Sequence, residues 1–174
     1  MTAERRRLYR YVGPADLAAL VSPGDAGTAM RSPADVEAWV GARTVAELAE
    51  PFTFVVGADG ALRLAARRSE HVACAGGGAV LAAGEIAFER RSGRWAVVEV
   101  SNQSTGYCPD VDSWSTLAEA LDRAGLKHTG GYTYAVVFRR CVLCGQVNIV
   151  REDDYVCVFC DAELPRVWNV DDGV

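Results

Sequence analysis

The stretch Phe52–Arg67, FTFVVGADGALRLAAR, decides the fold. Two runs rich in aromatic, β-branched and aliphatic residues alternate with a period of two on either side of Ala58-Asp59-Gly60. Asp-Gly supplies the positive φ of a tight primed turn, so the stretch predicts an antiparallel hairpin. Val80–Arg90 and Arg94–Ser101 flank Ser92-Gly93 in the same way and predict a second hairpin. The two together predict a four-stranded sheet.

Working outward, Leu8–Val12 alternates weakly before Gly13-Pro14 and predicts a short strand, and Asp16–Val21 has helical spacing. Ser22–Arg31 reads as a loop from its Pro and Gly content. Ser32-Pro33 is a helix start, a capping hydroxyl followed by proline at the first helical position, and places Val36, Trp39 and Val40 on one face. Val45–Glu50 predicts a further short helix before Pro51. Beyond the hairpins, Ser113 is expected to cap a helix whose Trp114, Leu117, Leu121 and Ala124 form one apolar stripe, stopped by Gly125. A stripe of that width covers one face of a sheet. Tyr132–Arg140 predicts a last strand running directly into Cys141. The expected class is α+β: an antiparallel sheet with helices on one face over residues 1–140, then a four-cysteine zinc ribbon and acidic tail over 141–174.

That ribbon is read from Cys141 and Cys144 (CVLC) and Cys157 and Cys160 (CVFC). Each C-x2-C lets one tight turn present two sulfurs to a tetrahedral ion, and two such turns close the shell, leaving no position for substrate. The expected cofactor is therefore a structural zinc ion, with iron in a rubredoxin-like centre as the competitor, because tetrahedral sulfur ligation suits both. Gly145 and Asp161, each following a cysteine pair, are residues that accept the positive φ of such turns.

Charge is distributed unevenly. Residues 1–140 carry 16 basic and 16 acidic side chains, whereas 141–174 carry 2 and 7, so the net charge of −5 resides in the tail. Four thiolates on a divalent ion make that surface more anionic still, which disfavours nucleic acid and favours a protein partner. Arg5, Arg6, Arg7 and Arg10 form the one dense basic run, read as a solvated arm. The N-terminus lacks the apolar core of a signal peptide, and no stretch is long enough to span a bilayer. Zinc-type spacing with Cys74 and Cys108 left over suits a reducing cytoplasm better than a disulfide framework. An Ala-, Gly-, Arg- and Val-rich composition with a single lysine points to a GC-rich bacterial gene.

Two segments between the strands are rich in functional groups, Glu70–Gly78 (EHVACAGGG) and Asn102–Pro109 (NQSTGYCP). His71, Gly76, Gly77, Ala83 and Gly84 in the first half, and Ser104, Tyr107 and Pro109 in the second, resemble a module patterned H-S-S-F-x-x-G-G…A-G…S-G-H-Y-x-P. That module occurs in plant IQ-motif calmodulin-binding proteins and in bacterial proteins of undefined activity. The likeness spans residues 52–125. Val72 and Ala73 stand where the module has serines, Gly106 stands at its second histidine, and no calmodulin-binding IQ segment accompanies it.

Read from the residues themselves, His71 is a candidate general acid or base oriented by Glu85 or Glu70, with Ser104 and Tyr107 offering hydroxyls. The structural alternative is that these groups satisfy backbone through local turns. His71, Cys74 and Cys108 match no standard metal spacing, and Gly76–Gly78 lacks the lysine and hydroxyl of a phosphate loop. The sequence thus predicts a bacterial zinc protein that works by contacting another protein. The alternative is a transferase or hydrolase with a cleft of His71, Glu85, Ser104 and Tyr107.

Overall fold

Alternation along the chain sorts side chains onto the two faces of a sheet, and the computed structural model, which describes residues 6–171, shows both faces covered. Arg5 and the last acidic residue, Asp172, lie outside the described residues. Strands β1 (Thr28–Met30), β2 (Phe52–Gly57), β3 (Leu62–Ala65), β4 (Val80–Arg91) and β5 (Arg94–Val100) form one antiparallel sheet in the order β1-β3-β2-β4-β5. Helices α1 (Ala15–Ala19), α2 (Pro33–Trp39), α3 (Val45–Leu48), α4 (His71–Cys74) and α5 (Trp114–Arg123) pack around it. Strands β6 (Val137–Arg140) and β7 (Val147–Val150) make a separate two-stranded sheet.

Both predicted hairpins form, with different turns. Ser92 and Gly93 both adopt positive φ, 51° and 76°, the signature of a two-residue primed turn. In the β2–β3 hairpin the φ of +82° falls on Gly60 alone, and the Gly57 N–H donates to the Ala61 carbonyl at 3.0 Å. The Asp59 carboxylate accepts the Ala61 N–H at 3.1 Å. Asp59 therefore braces a longer loop and does not itself supply the left-handed position.

Phe52, Phe54, Val56, Leu62 and Leu64 project to one side, where Val36 of α2, Leu48 of α3 and Leu117 and Leu121 of α5 meet them. Each such apolar side chain, fully buried, contributes roughly 1.5–3 kcal/mol, so the α5 stripe suffices to hold that helix. Ser32 caps α2 by accepting the Asp35 N–H at 3.2 Å. The opposite face, expected bare of helices, carries α1 and α4, one turn or little more each, together with Tyr9, Tyr107, Phe138, Trp168 and Val170. Trp168 and Val170 follow the last cysteine by several residues. The chain thus leaves the core at Phe138 and returns to it.

Three further expectations are corrected. Ser22–Arg31, read as a loop, contains β1, an edge strand held by pairing Thr28–Met30 with Leu62–Leu64. The strand expected over Tyr132–Arg140 is confined to Val137–Arg140 and pairs with β7; the residues before it meet the end of β5, through a bridge between Ser101 and Tyr134 and hydrogen bonds between Thr133 and Val100. Ser113 stands before α5 without capping it: its hydroxyl donates to the Asp110 carbonyl at 2.6 Å and bonds the Tyr132 hydroxyl at 2.7 Å, closing a 3-10 turn over Val111–Ser113. Among the described residues no helix is long and apolar enough to cross a membrane.

Candidate metal centre

Strand β6 delivers Cys141 and the turn after it delivers Cys144, whose own N–H points at the Cys141 sulfur across 3.5 Å. The Gly145 N–H closes that turn on the Cys141 carbonyl at 2.9 Å, with Gly145 at φ +77°. The second turn repeats the first: the Asp161 N–H donates to the Cys157 carbonyl at 2.9 Å, with Asp161 at φ +61°. Both residues adopt the positive φ that their types accept.

The four sulfurs lie within 4.8 Å of one another, with Cys141–Cys160 and Cys144–Cys157 each at 3.6 Å. A tetrahedral ion bound at about 2.3 Å sets its sulfurs about 3.8 Å apart, so the cage has the size of a four-thiolate site. Four cysteines are thus placed to hold a metal ion.

Local donors prepare the sulfurs for that role. Burial opposes ionisation of Cys157, but the Phe159 and Cys160 amides and the Asn148 side chain outweigh it and bring the thiol down to about 6. The Cys144 N–H, chief among several donors, lowers Cys141. Cys160 is pushed up to about 12: its bond with the Ala162 amide favours the thiolate, but burial and the facing sulfurs prevail. Cys144 is raised too: the Gln146 amide favours its thiolate, but burial and the facing Cys157 sulfur outweigh it, so each thiolate-prone cysteine faces a proton-retaining one. Asn148 is a member of this site that sequence reasoning missed. Its amide donates to the Cys157 sulfur at 3.4 Å while its oxygen accepts the Val158 N–H at 2.9 Å. A buried asparagine in an otherwise apolar strand, VNIV, was the signal.

Cys74 and Cys108 are a contrast. Burial raises them to about 11 and about 12, and their sulfurs face the Arg63 and Thr105 carbonyls. They are packed thiols, and among the described residues Cys141, Cys144, Cys157 and Cys160 are the grouping able to hold a metal.

The residues expected to carry chemistry sit on the sheet face beneath α4. The half-buried His71 imidazole bonds the Gly84 carbonyl through Nε2 at 2.9 Å. The Tyr107 hydroxyl donates to the Gly78 carbonyl at 2.6 Å, and the Ser104 hydroxyl accepts the Tyr107 N–H at 3.3 Å. Three of the four named groups are therefore engaged with backbone. Glu85, exposed on β4, is close enough to act on the His71 charge, but lines a shallow hollow with Glu99, Ser101 and Gln103. Asn102, fully buried, was missed as well. It donates to the Pro109 and Val136 carbonyls at 3.0 and 2.8 Å and accepts the Val136 N–H at 2.7 Å. That clamp fixes the second functional loop against the strand leading to the cysteines.

Burial is the largest influence on His71 and lowers its pKa, against the Gly84 carbonyl bond and the Glu85 and Glu70 charges. A histidine kept neutral by folding binds its proton more readily when unfolded. Its contribution to stability is therefore complete above about pH 6.5 and is lost as pH falls below it. We expect the urea midpoint to decline between about pH 7 and 5.5, with a shallower decline in His71→Gln. Equal slopes in the two proteins would reject the assignment.

The basic cluster is not a free arm over its described part. Arg6 pairs with Glu119, and Arg7 lies 3.9 Å from Asp110 and 4.7 Å above the Trp168 ring. Arg139 is buried, donating to the carbonyls of Phe138, Pro165 and Arg166, and Arg140 donates to those of Val170 and Gly145. No family model, curated protein or solved structure matches the chain.

Proposed function

We propose that this chain is a zinc-ribbon protein that works by contacting another protein, the ion serving to hold the ribbon in shape. The observation that carries the reading is the closed sulfur cage. Four thiolates complete a tetrahedral shell, leaving no coordination position for a substrate or an activated water, so the ion's role is scaffolding. The fold supports the same reading. The buried members of the ribbon's own cluster are Cys141, Val150, Cys157 and Leu164, too small a core to sustain the segment. Metal binding in finger-like peptides contributes about 10–16 kcal/mol, which compensates for that deficit.

The module resemblance is compatible with this role. Its histidine, tyrosine and serine are used here to tie loops to backbone, and a scaffold of that kind presents surfaces. The reading is tested by elemental analysis of natively purified protein, which should return about one zinc per chain. Chelation should then open residues 142–163 to protease. Absence of a stoichiometric metal, iron in its place, or sulfurs joined as disulfides would each overturn it.

A further inference from the structure

The two cysteine turns expose apolar side chains that metal binding does not require. Val142 and Leu143 are 79% and 75% exposed, and Val158 and Phe159 are 76% and 62% exposed. In a C-x2-C turn the ion uses only the sulfurs, supported by backbone amides, so the two intervening positions are free to be polar. Here all four are aliphatic or aromatic. Because both turns close on one sulfur cluster, these side chains gather at one end of the ribbon. Clustered exposed apolar side chains rimmed by polar residues mark interaction sites.

The surrounding charge has one dominant sign. Asp161 lies in the second cysteine turn and Glu163 just beyond it, both exposed, and Glu152, Asp153 and Asp154 are exposed in the turn after β7, at the end of that strand away from the cysteine turns, against Arg151 within the same segment. The neighbouring cations, Arg140 and Arg166, are held on the Gly145 and Val170 carbonyls and over the Tyr155 ring at 4.1 Å. Four thiolates around a divalent ion add about two further negative charges.

We propose that this end of the ribbon docks a short segment of another protein in which lysine or arginine stands beside bulky apolar residues. The inference rests on the zinc-ribbon reading above. Val142, Leu143, Val158 and Phe159 receive the apolar side chains, and the carboxylates and thiolate cluster select the cations and steer their approach. A second copy of this chain fits poorly: each carries a net charge of −5, and four side chains fall far short of the roughly 20–30 residues a side of a stable interface. A membrane surface, commonly anionic, is repelled by the same charge.

The test is selection from a random short-peptide library on the full-length, metal-loaded protein. Enriched peptides should combine basic with large apolar residues. A synthetic representative should bind saturably, bind about tenfold or more weakly to the Leu143→Ser/Phe159→Ser double variant, and lose binding when its cations are exchanged for glutamate. Should that variant lose its ion, Val142→Ser/Val158→Ser takes its place. Metal content measured on each preparation separates the two levels. Loaded protein that enriches no such peptides, or binds them equally in the variant, overturns the docking surface and leaves the zinc reading standing. Protein without the ion overturns the zinc reading. Stronger association with lipid vesicles than with peptide also overturns the proposal, in favour of membrane contact.

Discussion

Cys157→Ser should release the metal and unfold the segment from Val142 to Glu163 while leaving the five-stranded sheet intact. None of the sheet's strands lies within that segment, and its own core is a handful of side chains around the sulfurs. Loss of a ligand removes most of a metal-binding free energy of about 10–16 kcal/mol, far more than those contacts replace. The unfolding should stop at Trp168. Its ring packs edge-on against Tyr9 at 5.1 Å, and its indole N–H donates to the Cys108 carbonyl at 2.8 Å. Limited proteolysis of the variant should therefore cut within 142–163 and yield two fragments that stay associated under native conditions. A variant that keeps its ion and resists protease like the parent would refute the account.

Gly84→Ala should be the most damaging single methyl addition in the main sheet. A Cβ at Gly84 would stand 1.9 Å from the Ser101 carbonyl oxygen and 2.7 Å from its carbon, both backbone atoms. Overpacking typically costs about 1–3 kcal/mol when side chains can shift. Here a strand must move, displacing Asn102 from its clamp and the Gly84 carbonyl from His71, so we expect at least about 3 kcal/mol by urea denaturation. Gly78→Ala is the control. Gly78 is exposed, at ordinary φ, with its nearest neighbour 3.7 Å away, and should shift stability by no more than about 0.5 kcal/mol. Comparable losses in the two variants would mean that the crossing at Ser101 is not the constraint.

Features written in local chemistry were legible in the sequence. Alternation at Phe52–Ala65 and Val80–Val100 placed four strands, Ser32-Pro33 placed α2, and the stripe ending at Gly125 placed α5. The cysteine spacing predicted the cage, because two turns of fixed geometry bring the sulfurs together whatever surrounds them. Features that depend on a distant partner were not legible. Thr28–Met30 is three residues with one buried side chain and becomes a strand only because β3 offers an edge. Val137–Arg140 carries no local signal that chooses between the two sheets, and the cysteine turn that follows it brings β7 alongside. Trp168 and Val170 lie in a segment that reads as an acidic tail, where only a tryptophan hinted at burial. His71, Ser104 and Tyr107 were visible as polar groups, but their acceptors and donors lie in backbone that composition does not reveal.

Because the four-cysteine segment is moored at Phe138 and again at Trp168, it would remain, without a metal, an arc tethered at both ends with limited space to explore. Closing a ten-residue loop takes on the order of 10–100 ns, and closure cost grows only slowly with length, so diffusion of this longer arc should not govern reloading. With the ion in excess, recovery after chelation should then be paced by deprotonation of the sulfurs and ion binding, at a rate independent of protein concentration. On the metal-binding reading proposed above, tethering at both ends would make the four-cysteine centre a reversible fastening, whose opening leaves the rest of the molecule in register for reclosure.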